Sequence, residues 1–153
     1  MPADAAPIWA IHTRAIREVA SSHYGPDTID AWSGRTSPAS YLVPIETRAM
    51  PVACDDDGRV LGFAELDVDA GVVKACYVDP DVAGRGVGRA LMREVEAMAC
   101  EAGLRSLSLD ASLNAVPFYR ALGWRPGEAA RHPLAPGAAL DCVVMTKALQ
   151  CAP

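Results

Sequence analysis

Apolar residues recur at helical spacing near the start of the chain, in DAAPIWAIHTRAIREVASS, where Ile8, Ile11, Ala15, Ile16 and Val19 share one face. The spacing predicts an amphipathic helix, with Asp4 as its N-cap and Pro7 tolerated in its first turn. GPDTIDAWSG predicts a second, shorter helix that begins at Pro26, places Asp27 and Asp30 near its positive end and stops at Gly34. The Pro- and Ser-bearing stretch RTSPASYLVP reads as a loop. The period then changes. PVACDDDGRVLGFAELDVDAGVVKACYV holds three β-type runs separated by the turn sequences Asp56-Asp57-Gly58 and Asp69-Ala70-Gly71, which predicts an antiparallel meander.

Helical spacing returns from about Val87 to Ala102, with Val87, Ala90, Leu91, Val95, Met98 and Ala99 on one face and Gly103 closing the helix. RSLSLDAS predicts a short strand, NAVPFYRALG a helix ended by Gly123, and ALDCVVMTKAL a last strand. Two helices, a β meander and a β–α–β–α–β run make an α/β (α+β) layout around one main sheet. There is no internal repeat, and the one low-complexity tract is PLAPGAA.

Composition narrows this picture. With 153 residues and 51% hydrophobic content the chain can bury one good core, so residues 1–153 are read as one domain. A net charge of −5 with no run of Lys or Arg excludes a nucleic-acid or anionic-membrane partner. No apolar run approaches the roughly 20 residues of a membrane span. Five cysteines, Cys54, Cys76, Cys100, Cys142 and Cys151, are scattered with no C-x-x-C pair and no signal-peptide pattern, which predicts reduced thiols in a cytoplasmic protein. His12, His23 and His132 form no ligand cluster with them, so no metal site is predicted, and they read as ordinary surface or half-buried side chains.

The chemistry concentrates in YVDPDVAGRGVGRALMREVEAMA, where Gly84, Gly86 and Gly88 stand between a strand and a strongly amphipathic helix. A strand, a Gly-rich turn and a helix N-terminus aim several backbone N–H groups at one spot, and the helix dipole adds positive potential there. Arg85 and Arg89 add charge beside it. The dinucleotide fingerprint G-x-G-x-x-G fails, because the sixth position counted from Gly84 is Arg89. The Gly-Lys-Ser/Thr of a Walker A loop is absent. A ligand-free turn would account for a lone Gly-x-Gly, but three glycines leading directly into the helix point to a phosphate cradle.

YVDPDVAGRGVGRALM resembles the acetyl-CoA-binding motif of the GNAT acetyltransferase superfamily, and LDASLNAVPFYRALGW resembles its second landmark, a strand followed by Asn-Ala-x-x-Phe-Tyr-x-x-x-Gly-Phe/Trp. The resemblance spans about Trp9 to Lys147 and is sharpest from Tyr77 to Trp124. It implies a mixed, mostly antiparallel central sheet with helices on both faces. The family has a strand before its first helix, which is expected here to be missing, supplied otherwise or lost to a start-site choice, and Ala83 stands where the family has Gln or Arg.

The resemblance further implies direct transfer of an acetyl group from acetyl-CoA to a primary amine within a ternary complex. The pyrophosphate of coenzyme A falls to Gly84, Arg85, Gly86, Val87, Gly88 and Arg89. Pantetheine falls to a gap between strands, along the backbone of Cys76, Tyr77 and Val78, with Ser112 and Asn114 across it and Phe118 and Tyr119 from the second landmark. A backbone N–H near Cys76 or Tyr77 is the oxyanion donor by similarity, and Tyr119 matches the tyrosine that protonates the leaving thiolate. Asn114 also reads as the N-cap of its helix. Val72 replaces the glutamate that many members carry; the base is assigned to Glu65, which alternates with Asp67 and Asp69 along one strand face that looks either into the acceptor cleft or into solvent, and a water-relayed base is the alternative.

The acceptor, a small-molecule or peptide amine, would lie under the first two helices near Tyr24, Trp32 and Tyr41, and carboxylates near the cleft favour a cationic amine such as a polyamine or amino sugar. A homodimer through the apolar strand DCVVMTKAL is a further expectation. Two other readings stand beside the enzyme: a non-catalytic acyl-CoA-binding protein, suggested by Val72 and Ala83, and a nucleotide or NAD module resting on the glycines alone.

Overall fold

The meander forms where the two-residue alternation places it. In the computed structural model, which describes residues 1–153 and the surroundings of every side chain but that of Ala135, β1 (Val52–Cys54), β2 (Val60–Asp67) and β3 (Val72–Val78) pair antiparallel in succession. Asp55 shapes the first turn, its Oδ1 accepting from the amides of Asp57 at 3.1 Å and Arg59 at 2.8 Å. β4 (Ser106–Ser112) joins β3 in parallel, and β6 (Ala138–Ala148) and β5 (Arg125–Ala135) complete a six-stranded sheet of order β1-β2-β3-β4-β6-β5. β3–β4 is the parallel pair in this sheet; the other neighbours are antiparallel.

Helices cover both faces. α4 (Val87–Glu101) and α5 (Val116–Ala121) lie on one side, where Leu91, Met92 and Val95 pack with Leu66, Leu107 and Met145. Each of those α4 side chains is at most 3% exposed, a burial of about 1.5–3 kcal/mol apiece. Ala90, expected on this stripe, faces solvent. On the other side α1 (Ala5–Glu18) sets Ile8 and Ile11 against Phe63 and Tyr41, and α2 (Pro26–Ser33) joins Ile16 of α1 in a cluster with Leu134 and Leu140.

The structure departs from the sequence pattern at several points. Asp4 does not cap α1 with its side chain; the carboxylate binds the N-terminal amine at 2.8 Å instead. Val19 lies past the end of α1 and is 43% exposed. RTSPASYLVP is not a loop: a 3₁₀ turn at Pro38–Tyr41 runs into α3 (Leu42–Thr47). α3 buries none of its own residues, so no apolar stripe announces it; Ser40 Oγ accepts from the amide of Ser37 at 3.0 Å at the start of the turn. β5 is a strand the pattern does not predict. Pro126 and Pro133 interrupt its alternation, and both fit because β5 is an edge strand with register shifts beside them. The Ala/Pro-rich tract forms the β5–β6 hairpin.

β6 pairs on both edges, so the apolar run expected to support a dimer is used inside this sheet. Among the described residues no strand precedes α1. No helix is long and apolar enough to cross a membrane.

The expectation of five reduced thiols is corrected. Cys100, in the last turn of α4, is disulfide-bonded to Cys151 of the C-terminal tail, leaving Cys54, Cys76 and Cys142 free. β6 returns the chain beside the start of β4, where the amide of Leu149 donates to Arg105 O at 2.8 Å, and the two cysteines meet with Cα atoms 5.4 Å apart. A pair separated by 51 residues has no spacing signature in the sequence.

Candidate functional site

The glycine loop is fastened before it turns. Asp79, just past β3 and 3% exposed, accepts at Oδ1 from Arg14 Nη1 and the Asp81 amide, both at 2.9 Å, and at Oδ2 from Arg59 Nη2 at 2.7 Å. Burial works to raise its pKa, but the Asp81 amide and the two guanidinium groups outweigh it and hold the carboxyl below the usual range. A carboxylate more acidic in the folded state contributes stability that is complete above the unfolded value near about 3.9 and is lost as pH falls through the folded value. The stability gap between the wild type and Asp79→Asn should therefore be constant above about pH 5 and shrink on further acidification, read from unfolding midpoints across pH.

The three glycines have different physical reasons. Gly84 and Gly86 have φ of +78° and +85°, and a Cβ on either would meet nothing within 4 Å, so the backbone is strained for other residues while the space beside it stays open. Gly88 has ordinary helical φ, but a Cβ there would meet the Phe118 ring at 3.0 Å. It lets α5 approach α4. Gly86 is the N-cap of α4, and the first bond onto it runs from the Ala90 amide to Gly86 O at 3.0 Å, so the amides of Val87, Gly88 and Arg89 have no intrahelical acceptor. Arg85 and Arg89 are exposed at this end.

Beside the loop the sheet opens. β3 and β4 share one registered pair, Val72 with Ser108, and the Ser108 amide donates to Gly71 O at 3.0 Å. Past that point the strands part. Lys74 is an extra residue in β3, because Glu65 pairs with Ala75 while Leu66 pairs with Val73. The bulge resets which backbone groups face which neighbour. The Asp79 amide donates to Leu61 O at 2.8 Å, so by antiparallel alternation Tyr77 and Ala75 also bond toward β2, and the amides of Cys76 and Val78 face the gap.

The gap forms part of a cleft of about 560 Å³ lined by Glu65, Cys76, Tyr77, Val78, Ser112, Asn114 and Tyr119. The sequence-predicted residues Gly84, Arg85, Gly86, Val87, Gly88, Arg89 and Phe118 lie outside its lining, and Pro80 and Ala83 mark where the cleft meets the loop. Ala115, not Asn114, is the N-cap of α5, and Asn114 Oδ1 is buried with no protein partner. An acceptor left in this state at a cleft wall fits a ligand that supplies an N–H or O–H.

Tyr119 is buried, and desolvation first, then the nearby Cys76 and Tyr77, push its hydroxyl well above the ordinary phenol value. It is protonated throughout the neutral range. Burial likewise pushes the Cys76 thiol up to about 12, which leaves it a neutral, poor nucleophile. Glu65 is 8% exposed and accepts from Arg48 Nη1. The expected carboxylate face does not hold together: Asp67 turns to the Ala70 amide at 3.0 Å and Asp69 falls outside the strand.

Tyr24 does not line the cleft; its hydroxyl donates to Asp141 O at 2.5 Å and accepts from the Leu113 amide at 2.8 Å. Trp32 and Tyr41 do line it. His12, Arg35 and Arg48 complete this wall and were missed by sequence reasoning. The His12 ring centroid lies 4.2 Å from that of Tyr77, its Nδ1 is paired with the Tyr41 hydroxyl, and burial, then the charge of Arg35, lower its pKa to about 4. The available signal was its place between Ile8 and Ile16, a polar residue on the apolar stripe of α1.

Residues 20–132 match a family model described as an acetyltransferase (GNAT) domain. The aminoglycoside N(6')-acetyltransferase type 1 of Stenotrophomonas maltophilia is 35% identical over 107 residues, 59% of this chain and 70% of that protein. A GCN5-related N-acetyltransferase structure from Rhodopseudomonas palustris superposes with a TM-score of 0.89 at 29% identity, covering 97% of this chain and 92% of that one. The PaiA N-acetyltransferase of Thermoplasma acidophilum, solved with coenzyme A, superposes with a TM-score of 0.79 at 19% identity over 96% of this chain and 94% of that one.

Proposed function

Because the chain belongs to the GNAT acetyltransferases, we propose that residues 1–153 act as one catalytic domain that moves an acetyl group from acetyl-CoA directly to a primary amine. The observation that carries this reading is the parting of β3 from β4 after a single pair, with the Cys76 and Val78 amides facing the gap next to the glycine loop. Acetyl-CoA supplies the activated thioester. The pyrophosphate falls to the amides of Gly84 through Arg89, with Arg85 and Arg89 adding charge, and pantetheine to the gap, where Val78 pairs with it and the orphaned Asn114 Oδ1 accepts from it.

The Cys76 amide is the oxyanion donor; Tyr77, the other candidate, turns its own amide toward β2. Tyr119 holds the proton that the departing thiolate needs. The protonated Cys76 thiol argues for direct transfer to the amine over an acyl-cysteine intermediate. Glu65 receives the amine proton at the acceptor side of the cleft, with Arg48 fixing the carboxylate.

Incubation with acetyl-CoA and an amine panel should release free thiol only when an amine is present; acetyl-CoA binding with no release against any amine would support the non-catalytic binder instead. Glu65→Gln should lower kcat/KM roughly 10- to 100-fold near pH 7, with the deficit narrowing at higher pH as the amine deprotonates in solution. An undiminished rate at neutral pH removes Glu65 from the mechanism. Gly86→Ala should weaken acetyl-CoA binding about 5- to 30-fold, because holding a Cβ at positive φ costs about 1–2 kcal/mol; calorimetric titration reads it.

A further inference from the structure

The cleft wall is positive in a chain whose net charge is −5. Its carboxylates are Glu65 and Asp110, and its formal cations are Arg35, Arg48 and Lys74. Glu65 is engaged by Arg48, and Asp110 lies 3.4 Å from His132 Nδ1. Among the described residues neither Arg35 nor Lys74 forms an ion pair. Arg35 follows α2 and lines the cleft with His12, on which its charge acts and whose ring packs at a tilt against Tyr77, next to Cys76 in the chain. An uncompensated guanidinium therefore overlooks the place where the amine would meet the thioester.

We infer that the acceptor is an amine that also carries an anionic group, a carboxylate or a phosphate, received by Arg35 with Lys74 reinforcing the field. This rests on the acetyltransferase reading and specifies its substrate class. It reverses the expectation of a cationic acceptor, which followed from overall charge: the carboxylates that make the chain acidic lie mostly outside this wall, and of the two that line it Glu65 is paired with Arg48. A guanidinium presents a fixed fork that matches carboxylate and phosphate, while a polyamine entering the cleft meets the like charge of Arg35 and Lys74.

The test uses matched probes against the protein loaded with coenzyme A: glucosamine 6-phosphate against glucosamine, leucine against leucinol, and spermidine as the polycation. Calorimetry should show the anionic member of at least one pair binding roughly 10- to 100-fold more tightly than its neutral-group counterpart, the range of a charge-assisted contact. The phosphate and carboxylate arms separate the two anion types. Arg35→Gln should remove most of the preference, and Arg35→Glu, at the same exposed position, should reverse it. Equal or tighter binding of the counterparts or of spermidine, a preference that survives Arg35→Gln, or no binding of either anionic probe overturns the inference. If the preference is present but no amine yields free thiol with acetyl-CoA, the catalytic reading fails and the charge assignment stands.

Discussion

Replacing Tyr119 with phenylalanine should lower kcat about 10²- to 10⁴-fold while leaving acetyl-CoA affinity within about twofold, the signature of a lost general acid. The substitution keeps the ring, which packs edge-on against Phe118 and Trp124 with centroids 5.0 and 5.9 Å away, so the core around α5 is preserved. What it removes is the phenol that the second sequence landmark carries into the cleft. Burial raises the Tyr119 pKa, which makes the phenol a weaker acid, but the same apolar surroundings raise the basicity of a thiolate formed beside it. Because the phenol stays protonated through the neutral range, its titration does not shape the rate profile between pH 6 and 9; protonation of the amine does. Thiol release gives kcat and calorimetry gives affinity. An unchanged kcat would place the proton source elsewhere.

Opening the Cys100–Cys151 bond is the second large expected effect, and it falls on stability. The bond closes a loop of about 51 residues. Loop-closure entropy assigns such a cross-link about 4 kcal/mol, which for a chain of this size lowers the unfolding midpoint by roughly 10 °C. Unfolding with and without a reductant, repeated on Cys100→Ser, checks it. Both treatments should converge on one lower midpoint, and the reductant should leave the variant unmoved. A wild-type midpoint indifferent to reductant would show that the bond contributes nothing to stability. The bond also bears on location: in a reducing cytoplasm the protein would work nearer the lower midpoint.

Much of this was legible in the sequence, and the misses share a cause. α4 and β4 were readable because each buries one face and so carries its period in its own residues, and the meander because its β-type runs are set off by the Asp-Gly and Ala-Gly turns. α3 buries no residue of its own, and β5 is an edge strand broken by two prolines, so neither has a period to read. The loop was found from glycine spacing, yet the distinct reasons for Gly86 and Gly88 required φ and the approach of Phe118. Glu65, Asp67 and Asp69 alternate perfectly on paper, but the bulge at Lys74 and the turn after Asp67 separate them in space. Contacts between distant segments left no local trace at all: the Glu65–Arg48 pair, the Asp79 anchor and the disulfide each join residues whose proximity is set by the fold.

The central claim is that the glycine loop and the gap between β3 and β4 hold coenzyme A. Thermal unfolding with acetyl-CoA, CoA, NAD and ATP in parallel tests it most directly, since a ligand at about 100 times its Kd adds roughly 2.7 kcal/mol, or about 5–10 °C here. The account predicts that the two coenzyme A species raise the midpoint by that amount and that NAD and ATP do not. A midpoint unmoved by acetyl-CoA, or raised equally by NAD, would contradict it.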